Sequence, residues 1–305
     1  MFGSVRALLE QVVDYAGLFP PAKLPLDAAL ATYFREQAQS PYKWMLGKFV
    51  CPAKQLAAVP VAVGPGLRVA ALGQQAGRAE EFANSLDADF KAIGDFRAIS
   101  AANVVDSLEA ALPAGASLAS LGTNLGELAN RLGETRLAGF LEVPVSPTWR
   151  DDVAQLAQAL RGGQSKIGMK LRCGGLAATA FPSDADVAWF IVQCRDAGLP
   201  WKATAGLHHP RRHWDEALKV WHHGFLNVFV AGLLSCTHNL GEADLAAILA
   251  DRSGEHFRFE EGSIAWKNWS CTTAQIRDLR ASRVISFGSC SFAEPCDDLR
   301  AMGLI

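Results

Sequence analysis

Apolar residues recur along most of the chain in two alternating rhythms, at every second position or at every third to fourth position. The first suits a strand with one buried face, the second an amphipathic helix. Strands are expected at 12–18 (VVDYAGL), 44–51 (WMLGKFVC), 67–72 (LRVAAL), about 90–99, 136–143 (RLAGFLEV), 166–172, 200–206 and 283–288 (RVISFG). Helical spacing fills 26–38, 77–86, 103–111, 124–132, 151–161 and 184–197, with 214–234 after the seventh strand. Asp151 and Asp152 follow Pro147, and Ser183 opens SDADVAWF; both are helix-start signals. Eight strands alternating with helices predict the α/β class and, within it, a (β/α)8 TIM-type barrel.

The rhythm fails twice. Residues 90–122 are weakly patterned, so the fourth strand is the least defined. Residues 236–282 interrupt the alternation before the last strand, and FRFEEGSIAWKNW within them suggests a small hairpin. We read 1–305 as one barrel domain with 236–282 as an insertion, either a lid or an oligomer contact. The second role leaves a homo-oligomer open.

Strand parity brings out the chemistry. In SKIGMKLRCGG, Gly168, Lys170 and Arg172 share one face, and Ile167, Met169 and Leu171 the other. In PWKATAGLHHP, Lys202, Thr204 and Gly206 lie opposite Trp201, Ala203 and Ala205. If the apolar faces meet the helices, both lysines point into the barrel. They stand 32 positions apart, one βα unit. Burying one cation beside another is costly, and it is a way to make a lysine nucleophilic. A free lysine has a pKa near ~10.4, and lowering it to about 7 takes roughly 4–5 kcal/mol. A like charge about 5 Å away, at an effective dielectric of about 20, contributes roughly 3 kcal/mol.

The same parity places Glu142 with Ala138 and Phe140, Asp14 with Val12, and Lys48 with Leu46 and Val50. Asp14, Lys48, Glu142, Lys170, Arg172 and Lys202 would then lie toward the carboxyl ends of strands, where barrel active sites form. Four cations against two carboxylates imply an anionic substrate, a phosphate or a carboxylate. The turn in FGSCSFAEP, with Gly288 and Ser289, offers backbone N–H groups for such an anion, and Gly174 and Gly175 are similar. In HHPRRH, parity favours His208 at the mouth as an acid–base or anion contact. His209 and His213 lie four apart, but Pro210 intervenes and no HExxH, HxH or acidic pattern completes a ligand set, so no metal is expected. His222 and His223 are read as capping the helix before Gly224. Cys173 and Cys290 lie near the mouth, without a base that the sequence can place beside them.

Composition narrows the partners. The formal net charge is −2, which provides no basic field for nucleic acid. The opening MFGSVRALLEQVVDYAG has no basic segment followed by an apolar core, so no signal peptide is expected. The most apolar stretch, GFLNVFVAGLLSC, is about 13 residues and reads as a buried helix, too short for a membrane span. Seven scattered cysteines without a CxxC indicate neither a disulfide framework nor a zinc site, and free thiols suit the cytoplasm.

Five segments together resemble the class I aldolases of the deoxyribose-phosphate aldolase type. VVDYAGLFPPAKL is similar to that family's opening strand with its aspartate, and FVCPA to its second strand. MKLRCGG resembles the K-x-x-x-G segment bearing the Schiff-base lysine, and WKATAGLH the segment bearing the second lysine. SFGSCSF resembles the terminal turn that contributes to phosphate binding. The resemblance implies that Lys170 forms the imine, that Lys202 lowers its pKa, and that Gly288, Ser289 and Gly206 lie near a phosphate or its equivalent. It also implies a proton-shuttling acid on the fourth strand, but ADFKAIGDF, read as that strand, lacks the E-x-D pattern. Ala205 and His208 replace a glycine and a basic residue of the pattern, and Arg172 is an extra cation.

The expected protein is a lyase of the aldolase type, acting without a cofactor on a small anionic carbonyl metabolite. Lys170 would form the imine, Lys202 would keep it neutral, and Glu142 or Asp14 would move protons. Arg172, Lys48 and His208, with the 288–291 turn, would grip the anion. A cofactor-free or metal-assisted isomerase, lyase or hydrolase with electrostatic lysines is the first alternative. A non-catalytic anion-binding or assembly subunit is the second.

Overall fold

The computed structural model describes residues 1–60, 66–116, 118–162 and 167–305. The chain begins with α1 (Gly3–Leu9), β1 (Val13–Tyr15), α2 (Leu26–Gln39), β2 (Leu46–Pro52) and β3 (Arg68–Leu72). It continues through α3 (Ala79–Ile99), β4 (Val104–Ala111), α4 (Leu118–Thr135), β5 (Ala138–Glu142) and α5 (Trp149–Leu160). Next come β6 (Ile167–Arg172), α6 (Asp184–Ala197), β7 (Trp201–Thr204) and a hairpin of β8 (His213–Asp215) and β9 (Val220–His222). After α7 (Phe225–His238) and α8 (Glu242–Ala250), an antiparallel sheet forms from β10 (Phe257–Phe259), β11 (Ser263–Trp266) and β12 (Trp269–Thr272). The chain ends with α9 (Thr273–Ser282), β13 (Val284–Ser289) and α10 (Ala293–Ala301).

Eight parallel strands close in the order β1-β13-β7-β6-β5-β4-β3-β2, the expected (β/α)8 barrel. Parity decides which residues line it. On β7, Trp201 packs edge-on against Phe190 of α6 and tilted against Phe229 of α7, at ring separations of 6.2 and 5.9 Å. Trp201 therefore belongs to the sheet–helix layer, and Lys202 turns inward. Gly232 of α7 permits this packing, because a Cβ there would lie 2.6 Å from the Trp201 ring. Phe287 of β13 extends the layer through Phe229 and Phe225.

Three expected elements differ from the structure. The strand expected at about 90–99 is the second half of α3, whose buried Phe82, Leu86, Phe90, Ile93 and Phe96 form one continuous helical stripe. The helix expected at 103–111 is β4, paired with β3 and β5. The helix expected at 214–234 is preceded by the β8–β9 hairpin, where Asp215 Oδ1 accepts from the Ala217 and Leu218 N–H groups in the turn. His222 consequently stands in a strand, and His223 Nε2 lies 2.8 Å from the Pro182 carbonyl rather than capping α7.

Segment 236–282 contains the end of α7, α8, the expected hairpin enlarged to three strands, and α9. The apolar stretch forms α7, buried from Phe225 to Ser235. Among the described residues, no helix is long and apolar enough to cross a membrane.

Candidate active site

The barrel interior holds a chain of alternating charges. Asp14 ends at the deepest point: its Oδ2 accepts from Ser286 Oγ at 2.6 Å and from Lys202 Nζ at 2.6 Å. Its Oδ1 accepts from the Lys48 backbone N–H at 2.9 Å, and Lys48 Nζ stands 4.0 Å away. Lys202 also donates to Glu109 Oε1, at 2.5 Å. The other oxygen of Glu109 lies 3.0 Å from Lys170 Nζ. Glu142 Oε2 is 3.3 Å from the same nitrogen, while its Oε1 accepts from Arg172 Nε at 2.7 Å.

Strand register produces this order. Glu142, Lys170 and Lys202 are successive Cα partners across β5, β6 and β7. Asp14 pairs with Gly288 across β1 and β13, and a Cβ at Gly47 would lie 2.5 Å from Asp14 Oδ1. Lys48 on β2 and Arg172 on β6 stand four strands apart in either direction around the barrel, so the charges run from wall to wall. Exposure is lowest in the middle of the chain and higher at both ends: Lys48 is 17% exposed, Lys202 1%, Lys170 5% and Arg172 43% by side chain.

Burial and charge oppose each other at every link. Burial alone would raise the Asp14 carboxyl, but Lys202 and Lys48 outweigh it and hold it well below the usual carboxylate range. Glu109 is lowered in the same way by Lys202 and Lys170, and Glu142 by Lys170 and Arg172. For Lys202, burial favours the neutral amine, but Asp14 and Glu109 prevail and raise its pKa. Lys202 is thus a fixed ammonium whose charge two carboxylates compensate.

This differs from two bare lysines side by side. Glu109 sits between them, so the like-charge argument for activating Lys170 loses its basis. Counting Glu109, four cations (Lys48, Lys170, Lys202, Arg172) face three carboxylates (Asp14, Glu109, Glu142). The excess is one positive charge, not two. Sequence reasoning missed Glu109 because β4 was read as a helix, and missed Ser286 because nothing marked its hydroxyl. The signal for Glu109 was strand parity in the second half of β4: Ser107 and Glu109 share a face, with Pro113 soon after, while a register shift against β3 turns Val105 to the other side.

The remaining expected residues ring the mouth. Gly206 adopts φ +70°, and a Cβ there would lie 2.9 Å from the Cys173 carbonyl, so only glycine allows β7 to turn so close to β6. Gly288 faces Thr204, and Ser289 is buried, its carbonyl accepting from the Ala16 N–H at 2.7 Å. His208 Nδ1 lies 3.0 Å from Glu294 Oε2, which places an acid beside the expected anion turn. Cys290 Sγ is 4.0 Å from the same nitrogen, but burial pushes its thiol up, as it does that of Cys173. His209 Nδ1 is held by Asp298 at 2.6 Å. Among the described residues, no group of three or more His, Cys, Asp or Glu is arranged to hold a metal ion.

Beside Arg172 opens a cavity of about 310 Å³ between the loops that follow β5 and β6. Comparison of the chain with protein-family models and with curated proteins finds no match.

Proposed function

We propose that the protein is a class I lyase of the aldolase type, acting on a small anionic carbonyl compound through an imine at Lys170. One observation carries this reading: of two lysines on one buried carboxylate, Lys170 is the one nearer the exposed Arg172, and its contacts are the longer. Lys202 Nζ is taken up by Asp14 and Glu109 at 2.6 and 2.5 Å, whereas the contacts of Lys170 are 3.0 and 3.3 Å.

The proton of Lys170 passes to Glu109 or Glu142. The free amine adds to the substrate carbonyl carbon, and the carbinolamine loses water to give an iminium. The iminium accepts the electron pair of the bond between the α and β carbons as that bond breaks, leaving an enamine. The neighbouring hydroxyl loses its proton to a glutamate and becomes the carbonyl of the first product. The enamine regains a proton on carbon and is hydrolysed, releasing the second product and Lys170. Asp14 positions Lys202, which in turn fixes Glu109. Arg172 takes the substrate anion, in keeping with the single excess positive charge.

The class I aldolase resemblance supports this reading, because β4 does carry an acid. Glu109 is an acid on that strand, although VVDSLEAA, like ADFKAIGDF, lacks the E-x-D pattern of the resemblance. Borohydride trapping with a panel of small aldehydes, keto acids and sugar phosphates tests the proposal. The expected result is a stable adduct on the peptide bearing Lys170, absent from Lys170→Ala. A folded wild-type protein with no adduct would leave Lys170 as a fixed charge stabilising an oxyanion.

A further inference from the structure

The cavity beside Arg172 belongs to no part of the charge chain, yet it is joined to it. Arg172 lines the cavity, and its Nε holds Glu142 at 2.7 Å, which lies 3.3 Å from Lys170 Nζ. Val145, Pro147, Trp149, Ala180, Phe181 and Pro182 give the other walls apolar surface, and Ser146 and Thr179 add two hydroxyls. Arg150 closes one side, paired with Asp186 at 2.8 Å.

These walls are fixed before any ligand arrives. Trp149 Nε1 donates to the Val143 carbonyl at 3.2 Å, and its ring stacks on Phe190 with centroids 6.3 Å apart. Phe181 lies against His222 at 4.2 Å. Asp186 is held by the capping box with Ser183 at the start of α6. Val145 on the wall is 59% exposed.

Size and polarity select the occupant. A cavity of roughly 150 Å³ holds a benzene molecule, so about 310 Å³ takes one ring with a short chain. A polyhydroxylated chain would find hydroxyls at Ser146 and Thr179 but set the rest of its own against Val145, Pro147, Phe181 and Pro182 without partners, at a cost of about 1–3 kcal/mol each. We infer that the substrate is a monoanionic carbonyl compound with a compact apolar, ring-sized side chain, seated in this cavity with its anion on Arg172. The inference rests on the imine reading for the reaction and on the cavity alone for the side chain.

Two measurements separate these. The first is the initial rate of borohydride-trapped adduct at Lys170 with phenylpyruvate and with pyruvate. The expected ratio is at least tenfold in favour of phenylpyruvate, falling at least fivefold in Thr179→Trp, which places a bulky ring in the cavity from an exposed position. Equal rates in the wild type, or a ratio unmoved by Thr179→Trp, overturn the side-chain inference while the imine stands. The second is calorimetric binding of 3-phenylpropionate, which has no carbonyl to react. Binding that weakens at least tenfold in Thr179→Trp upholds the cavity even if neither keto acid is trapped. No binding of 3-phenylpropionate, with neither keto acid trapped, overturns both.

Discussion

Lys170 and Lys202 are register partners on adjacent strands, yet their ammonium groups meet through Glu109, whose two oxygens each take one of them. The carboxylate makes the pair affordable in a buried site and divides its roles. One lysine is held at 2.6 and 2.5 Å, the other at 3.0 and 3.3 Å.

Glu109→Gln keeps the shape of the link and removes its charge. The proposed mechanism loses a proton acceptor beside Lys170, a contribution typically worth 10²–10⁴-fold. The expected outcome is a fall in kcat of at least about 10²-fold with a native circular dichroism spectrum. A variant with near wild-type turnover would place the proton transfers on Glu142 alone.

Lys202→Met leaves Asp14 and Glu109 buried opposite an apolar side chain. Breaking a buried ion pair by removing one partner costs about 3–5 kcal/mol. Urea unfolding should show a midpoint lowered accordingly. The double variant Lys202→Met/Asp14→Asn should recover part of the loss, and failure to recover any would mean that lost packing, not stranded charge, is responsible.

His223 is completely buried, and burial, against the Pro182 carbonyl, lowers its pKa to about 4. A depressed folded-state value means the neutral ring stabilises the fold above the unfolded pKa of ~6.5. That stability drains away as pH falls from about 6.5 toward about 4. Between pH 7 and pH 5 the wild type should lose about 2 kcal/mol that His223→Gln does not lose, read as the difference of their urea midpoints. Parallel pH profiles would count against a neutral buried His223.

How much of this was legible follows from how each feature is encoded. Alternation on β6 and β7 is local, so the inward faces of Lys170 and Lys202 could be read directly, as could Glu142 on β5. β4 could not, because Val105, Leu108 and Leu112 also fit helical spacing, and α3 was cut short after Leu86. Glu109 went unseen with it. The ion pairs depend on closure of the barrel, which brings Asp14 to Lys202 across 188 positions of sequence. No local pattern carries that information.

Gly232→Ala tests the sheet–helix layer. Alanine is favoured over glycine in a helix by about 1 kcal/mol, but its Cβ would lie 2.6 Å from the Trp201 ring and 3.1 Å from Val284. Overpacking of this kind costs about 1–3 kcal/mol. Thermal unfolding should therefore show a net loss rather than the usual helix gain.

The alternation of charge along the barrel has a further effect on how Lys170 can react. Were its nitrogen to become neutral, Glu109 and Glu142 would face each other across an uncharged atom, and one of them would hold the released proton. In the proposed mechanism, activation is then an internal transfer that makes the nucleophile and its acid in one event. The interior neither takes up nor releases a proton in the process, so the step needs no exchange with bulk water.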